Sequence, residues 1–317
     1  MWVQGEVMAM ATDVAEFLGA ALGLNLLFGV AMLPAGLITG LITVAVLSLR
    51  ARGRRRFELA IVALLGLVVT GFGYETLRIG PSVPGSLHGL VPGLDGTGSL
   101  YLAAAILGAT VMPHVIYLHS AMTKDRAPGR GDRRRLLRFQ QLDVLTALGL
   151  AGLVNMAMLA VAARAFHTPE LAGLATIGQA HAELGRLAGG SAALVFAVAL
   201  LASGVSSSSV GTYAGEVIMA GFVRLRVPLL ARRAATMIPA LAILAAGANP
   251  TSALVLSQVV LSFGIPFALV PLVILTSRRA VMGCHVNQRR TVITGGLCVA
   301  VITALNVLLL GQQFCRP

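Results

Sequence analysis

The chain has 317 residues, of which 57% are hydrophobic and only 11% are charged, and its mean hydropathy is +0.87. A soluble chain of this length carries roughly a quarter charged residues, so the composition excludes a water-soluble globular protein. The formal net charge of +12 comes mostly from short basic loops between apolar runs. This placement indicates membrane topology and argues against nucleic-acid binding.

Apolar runs long enough to cross the hydrocarbon, roughly 20 residues, recur along the chain. They predict an all-α integral membrane protein with about nine transmembrane helices in a single transmembrane domain over residues 1–317. The predicted spans are 1–24, 31–49, 57–77, 98–122, 139–165, 190–222, 234–247, 251–276 and 291–313. The segment Phe166–Gly189 is predicted to be an external connector.

Four basic clusters hold 20 of the 24 Lys and Arg residues: Arg50–Arg56, Lys124–Arg138, Arg224–Arg233 and Arg278–Arg290. Because Lys- and Arg-rich loops stay inside, these clusters are predicted to face the cytoplasm. Alternation then places the N-terminus in the cytoplasm and the C-terminus outside the cytoplasmic (inner) membrane. The first residues lack a basic n-region, which predicts no cleavable signal peptide.

The first predicted span carries three carboxylates, Glu6, Asp13 and Glu16. Their spacing of seven and three residues places them on one helical face. A charge inside a bilayer is costly unless it is paired or hydrated, so this face is predicted to point into the protein. Buried carboxylates and histidines are typical of proton relays. A solvated helix end is an alternative explanation for Glu6.

The fourth predicted span contains Met112-Pro113-His114, with His119 further along. Pro113 has no backbone N–H and clashes with the preceding turn, so the helix is predicted to break just upstream. Broken membrane helices line cavities and form substrate sites in transporters. A thioether selects transition metals over calcium or magnesium. Together with the imidazoles and a freed carbonyl near Ala109, it favours a cation site over a simple proline kink.

Arg232 and Arg233 open the predicted span 234–247. The positive-inside rule explains them without any further role. This is the default interpretation; they could also be counter-ions to Asp13 or Glu16, and the sequence does not choose between the two.

Gln258 and Asn306 are polar residues within apolar spans. They predict either interhelical hydrogen bonds or places in the coordination shell of a metal ion. The small-residue stretch Ser203–Gly211 predicts close helix packing. Three cysteines show no paired ligand spacing and are interpreted as membrane or surface residues: Cys284, Cys298 and Cys315.

These residues together resemble the Nramp family of proton-coupled divalent-metal transporters. The strings Met8–Ala21 and Ala109–Ser120 look like the third and sixth helices of that family, and the similarity continues through Leu256–Pro271. The resemblance implies a LeuT-type fold of two inverted five-helix repeats plus a terminal helix. It also implies a transporter without enzymatic activity or cofactor, whose substrate is manganese(II) or iron(II), moved together with protons.

The resemblance further implies roles for individual residues. Met112 would supply a thioether and Ala109 a carbonyl to the metal, with Gln258 approaching the ion in an occluded state and Asn306 less directly. The remaining candidates would form the proton pathway: His114, His119, Asp13, Glu16, Glu6, Arg232 and Arg233. The implied partners are the metal ion, protons and the lipid bilayer, with no nucleic acid.

One feature of the family is not found in these residues. The first helix of the family carries an Asp-Pro-Gly-Asn break that ligates the metal, and no Asp-Pro-Gly occurs in the 317 residues. The chain is therefore expected to lack the first two helices. Two functions stay open: proton-coupled import of manganese(II) or iron(II), or a non-transporting membrane fragment. An intramembrane metalloprotease is disfavoured because no His-Glu-x-x-His pattern is present.

Overall fold

The computed structural model describes residues 2–80, 89, 93, 96–126, 133–166, 176–223 and 228–314, and within these ranges the chain is helical and contains no strand. The α-helices are α1 (Trp2–Phe28), α2 (Met32–Ala51), α3 (Arg54–Ile79), α4 (Gly96–Thr110), α5 (Pro113–Arg126), α6 (Arg133–Phe166), α7 (Ile177–Ala188), α8 (Gly190–Phe222), α9 (Leu229–Ala245), α10 (Pro250–Ser277), α11 (Arg279–Met282) and α12 (Arg289–Phe314). A 3₁₀ turn, Gly283–His285, follows α11.

Eight candidate spans among the described residues are long and apolar enough to cross a membrane, and one of them comprises α4 and α5 together. The predicted span 234–247 falls on α9, which has 17 residues and contains Pro239. At 1.5 Å per residue, this helix is shorter than the roughly 20 residues that a full crossing needs.

The predicted external connector Phe166–Gly189 differs from the structure, because part of it forms the short helix α7. A capping box starts this helix: the Thr176 side chain accepts from the Gln179 N–H at 3.2 Å, and the Gln179 side chain accepts from the Thr176 N–H at 3.1 Å. This reciprocal pairing satisfies two donors that a helix start otherwise leaves unpaired. Prediction by hydropathy alone missed it because α7 is not apolar enough to resemble a span.

Helix α1 lies at the centre of the fold and packs against α2, α8, α9 and α10. Its contact with α8 depends on two glycines. A Cβ on Gly204 would lie 2.5 Å from the Glu16 carbonyl oxygen, and a Cβ on Gly23 would lie 2.8 Å from the Leu201 backbone nitrogen. Only glycine permits backbones this close, which confirms the packing role predicted for the small-residue stretch of α8.

The periphery of the molecule is apolar. Large hydrophobic side chains are exposed along α6 and α12, among them Leu145, Leu148, Ile293 and Leu297. Contiguous exposed apolar surface of this extent is unusual for a protein in water. The Asp13, Arg233 and His114 side chains lie inside the helix bundle, so the molecule has the apolar exterior that a bilayer requires.

Candidate functional site

The helix break predicted at Pro113 is present between α4 and α5. Val111 and Met112 are not helical. The hydrogen-bond ladder of α4 ends where the Val111 N–H donates to the Leu107 carbonyl at 2.9 Å. The Ala109 carbonyl would normally accept from the residue four positions on, but Pro113 has no N–H to donate. The break therefore leaves a backbone acceptor beside the Met112 thioether.

Helix α10 crosses directly over the end of α4. A Cβ on Gly108 would collide with the Gln258 carbonyl oxygen and lie 3.0 Å from the Ser262 nitrogen. The Gln258 side chain is buried, and its Oε1 has no hydrogen-bond partner among the described residues. Met112 is half-buried and Ala109 is exposed. A buried acceptor without a donor requires an explanation, and a cation at this crossing would supply one.

Asn306 of α12 packs against α10 and is already hydrogen-bonded. The Ser262 hydroxyl donates to Asn306 Oδ1 at 2.5 Å, and Asn306 Nδ2 donates to the Ser262 carbonyl at 2.8 Å. Both ends of the amide therefore join α12 to α10. The interhelical hydrogen bond that the sequence predicted as one alternative for Asn306 is confirmed.

The first ion pair of α1 is fully buried. Asp13 is 2% exposed and Arg233 of α9 is 0% exposed, and Arg233 NH1 donates to Asp13 Oδ1. The Ser208 hydroxyl of α8 donates to the same oxygen. The other carboxylate oxygen, Oδ2, is buried with no hydrogen-bond partner within the described part of the chain. Asp13 is thus held from two helices while one oxygen stays available to a proton or another donor.

The second ion pair joins Glu6 of α1 to Arg232 of α9, whose NH2 donates to Glu6 Oε2 at 2.5 Å. Gly215 of α8 makes room for this guanidinium, since a Cβ there would collide with it. The predicted counter-ion role is therefore confirmed for Arg233, which pairs with Asp13. Arg232 pairs with Glu6, a carboxylate that the prediction did not name for it. Glu16 is partly buried on the same helix.

His114 of α5 faces the same stretch of α8. It is 1% exposed, and neither ring nitrogen has a hydrogen-bond partner among the residues that the structure describes. A Cβ on Gly211 would lie 4.0 Å from His114 Nε2. Gly211 is three residues beyond Ser208, so the imidazole and the Asp13 carboxylate both lie along α8, one turn apart. This helix links the broken helix to the buried ion pairs.

His119 has a different environment from the other predicted proton-pathway residues. It is exposed, and its Nε2 is 2.8 Å from Gln140 Nε2 on α6. The structure places it at the periphery of the molecule, away from the buried cluster around Asp13.

Sequence reasoning missed three polar groups, two of which the structure buries and one of which it places in an ion pair. Ser208 was interpreted as packing, although hydroxyls at 208 and 212 share one face of α8. Glu75 of α3 is 1% exposed, and its Oε1 has no hydrogen-bond partner in the described ranges. Arg50 was counted only as a topological charge, yet it forms an ion pair with Glu216 of α8.

Within the described residues, no group of three or more His, Cys, Asp or Glu side chains could hold a metal ion. Donors at the helix break are instead uncharged: a thioether, a backbone carbonyl and an amide oxygen. A broken membrane helix next to buried, titratable ion pairs defines a class of protein, the multi-pass membrane transporters.

Comparisons with known proteins give the family. The family model described as natural resistance-associated macrophage protein-like, Nramp, matches residues 1–312. The divalent metal cation transporter MntH of Deinococcus radiodurans is 48% identical over 313 residues, covering 98% of this chain and 72% of the relative. MntH of Bacillus subtilis is 47% identical over 317 residues, covering 99% of this chain and 74% of the relative.

A solved structure is similar as well. The Eremococcus coleocola manganese transporter, in complex with an aromatic bis-isothiourea substituted compound, has a TM-score of 0.79 at 32% identity, covering 98% of this chain and 71% of that chain. The chain belongs to the Nramp family, a family of metal-ion transporters and not of enzymes. The predicted LeuT-type, all-α membrane fold is confirmed.

Proposed function

We propose that this chain imports manganese(II) or iron(II) across the cytoplasmic membrane together with protons. The observation that supports the proposal is the break between α4 and α5 next to the close contact of Gly108 with the Gln258 backbone. The Gln258 Oε1 is buried and has no partner among the described residues. Two matched relatives are named divalent metal cation transporter, and the structural neighbour is a manganese transporter.

In the proposed site, Met112 supplies the soft ligand, Ala109 a backbone oxygen and Gln258 an amide oxygen. A thioether favours first-row transition ions and disfavours calcium and magnesium, which take hard oxygen ligands. Asn306 acts less directly, because its amide joins α12 to Ser262 of α10 and so supports the helix that carries Gln258.

The proposed proton pathway runs from the helix break along α8 to the two ion pairs, and its members are His114, His119, Asp13, Glu16, Glu6, Arg232 and Arg233. Protonation of Asp13 would weaken its pairing with Arg233, since the attraction depends on the carboxylate charge. The Glu6–Arg232 pair offers the next carboxylate. Among the members, His119 has the weakest support, because it is exposed and next to Gln140.

The same proposal includes the orientation. The Arg-rich turn between α2 and α3 faces the cytoplasm, as does the start of α1, and the end of α12 faces outside. The 317 residues act as a single transmembrane domain in lipid. A non-transporting membrane protein, the alternative that the sequence leaves open, is not favoured, because relatives that match 98–99% of this chain are named transporters.

Manganese(II) uptake into proteoliposomes containing the 317-residue chain tests this proposal. We expect saturable uptake, driven by an inward proton gradient, that Met112→Ala reduces about tenfold or more, because losing even an outer-shell partner of a ligand costs about 10- to 100-fold at metal sites. Met156→Ala is the matched control, since Met156 is exposed on α6, and it should leave uptake unchanged. Equal uptake by both variants, or none by the parent chain, would contradict the proposal.

A further inference from the structure

A second ionic cluster lies on α8 beside the Glu6–Arg232 pair. Gly215 contacts the Arg232 guanidinium, and the next residue, Glu216, accepts a hydrogen bond from Arg50 at the end of α2. The Arg50 guanidinium carbon also lies 3.8 Å from the centroid of the Tyr213 ring. One arginine of α2 is therefore held on α8 by a carboxylate and by the face of an aromatic ring.

Helix α3 joins this cluster through Phe57, in its first turn. The Phe57 ring meets the Tyr213 ring edge-on, with centroids 6.5 Å apart and planes at 88°. Phe57 is 6% exposed, so the contact is dry. The turn that connects α2 to α3 is thus attached to α8 from both of its helices, and the shared attachment point is Tyr213.

The two ion pairs at this level of α8 differ in how much water reaches them. The Arg232 and Glu6 side chains are 4% and 18% exposed, whereas those of Arg50 and Glu216 are 30% and 36% exposed. A pair reached by water has a small net strength, because solvation compensates each charge when the pair separates. The α2–α3 attachment can therefore open and close at low cost, while the buried pair holds α1 and α9 to α8.

We propose that Arg50, Tyr213 and Glu216 form a latch that keeps the α2–α3 turn closed on α8, and that the latch opens when the cytoplasmic end of the transporter opens. This inference rests on the proposed import function, since only a transporter needs that end to open. The basic turn Arg50–Arg56 places the latch on the cytoplasmic side. Its strength would then set how often the inward-open state is visited.

Cysteine labelling measures the opening directly. Leu47 of α2 lies one turn before Arg50 and is 1% exposed, so a thiol there reacts with a maleimide only when α2 separates from the helices packed against it. Leu47→Cys is placed in a chain whose three native cysteines are changed to serine, and the reaction rate is followed in lipid nanodiscs. We expect Glu216→Gln and Tyr213→Leu each to raise the rate at least about threefold, the factor that one weak ion pair or cation–π contact supplies.

Four further variants make the test specific. Tyr213→Phe keeps the ring and should leave the rate near that of the parent. Arg186→Gln breaks an ion pair with Glu183 on α7 and should also leave it unchanged. Arg50→Glu should raise the rate, and adding Glu216→Arg should restore it.

Unchanged labelling in Glu216→Gln and Tyr213→Leu, with both proteins monodisperse by size-exclusion chromatography, would overturn the latch. If one of these variants does not fold, the charge-swapped pair decides, because failure to restore the rate also contradicts the proposal. Labelling needs no metal transport, so a chain that opens normally but takes up no manganese would count against the import function alone.

Discussion

The two polar regions of this molecule are built in opposite ways. At the break between α4 and α5 the donors are uncharged, and Gln258 Oε1 is left without a partner among the described residues. Between α1 and α9 the groups are charged, and Asp13 and Glu6 each pair with an arginine. A neutral acceptor can stay unsatisfied at modest cost, whereas an uncompensated charge in an apolar interior cannot. Substitutions at the break should therefore cost transport, and substitutions in the ionic region should cost stability first.

The largest expected effect tests the ionic region. Arg233→Met leaves Asp13 buried without its cation and should destabilise the fold by about 3–5 kcal/mol, measured as thermal unfolding in detergent. The double variant Arg233→Met with Asp13→Asn removes both charges and should recover most of that loss. Equal unfolding temperatures for the parent and the single variant would show that this pair does not support the fold.

Gly108→Ala is the one substitution at the break that should cost stability as well as transport. The added Cβ would meet the Gln258 carbonyl, which is backbone and cannot turn aside, so we expect about 1–3 kcal/mol of destabilisation and loss of manganese uptake. Gly152→Ala on α6 is the matched control, because a Cβ there meets no described atom within 4 Å. If both variants unfold and transport alike, α4 and α10 do not depend on this contact.

Gln258→Leu should reduce manganese uptake without reducing stability. The change removes an amide whose Oε1 makes no hydrogen bond within the described residues. The free energy of unfolding should therefore stay within about 1 kcal/mol of that of the parent. Manganese uptake should fall about tenfold through loss of an oxygen ligand. A variant that loses stability but keeps its uptake would reverse the contrast between the regions.

The smallest effect is expected at a pair outside both regions, in which Glu183 is buried and Arg186 is exposed. The Arg186 side chain donates to Glu183 at 2.5–3.0 Å and lowers the pKa of that carboxyl from its usual 4.5. A lowered folded-state pKa adds stability above the unfolded pKa, and this is lost as pH falls through the folded value. Glu183→Gln should therefore be slightly less stable than the parent at pH 7 and converge with it in acid. A difference that grows on acidification would contradict this assignment.

Much of the architecture was predictable because single residues determine it. Hydropathy located the spans, and Pro113 alone determines where α4 ends, since it lacks a donor. The need to bury the carboxylates of α1 followed from the cost of charge in lipid. These predictions depend on the chemistry of single residues and on the membrane environment, and the composition of the sequence indicates that environment directly.

Pairing between helices was not predictable in the same way. Arg232 pairs with Glu6 and Arg233 with Asp13 because α9 crosses α1 at one particular register, and no local pattern encodes that register. Ser208 reaches Asp13 only because Gly204 lets α8 approach α1 closely. Helix α7 was missed for another reason: its capping box is a local signal, but hydropathy does not detect it.

The contact between Gly108 and the Gln258 carbonyl has a mechanical consequence. Side chains between two packed helices can absorb a small helix shift, because they change rotamer. At Gly108 the backbones of α4 and α10 meet directly, so no side chain can absorb a shift there. A tilt of α10 would therefore be transmitted directly to the end of α4, and the Ala109 carbonyl, one residue further on, would move with it. Movement of α10, which carries Gln258, is coupled in this way to movement of the Ala109 carbonyl.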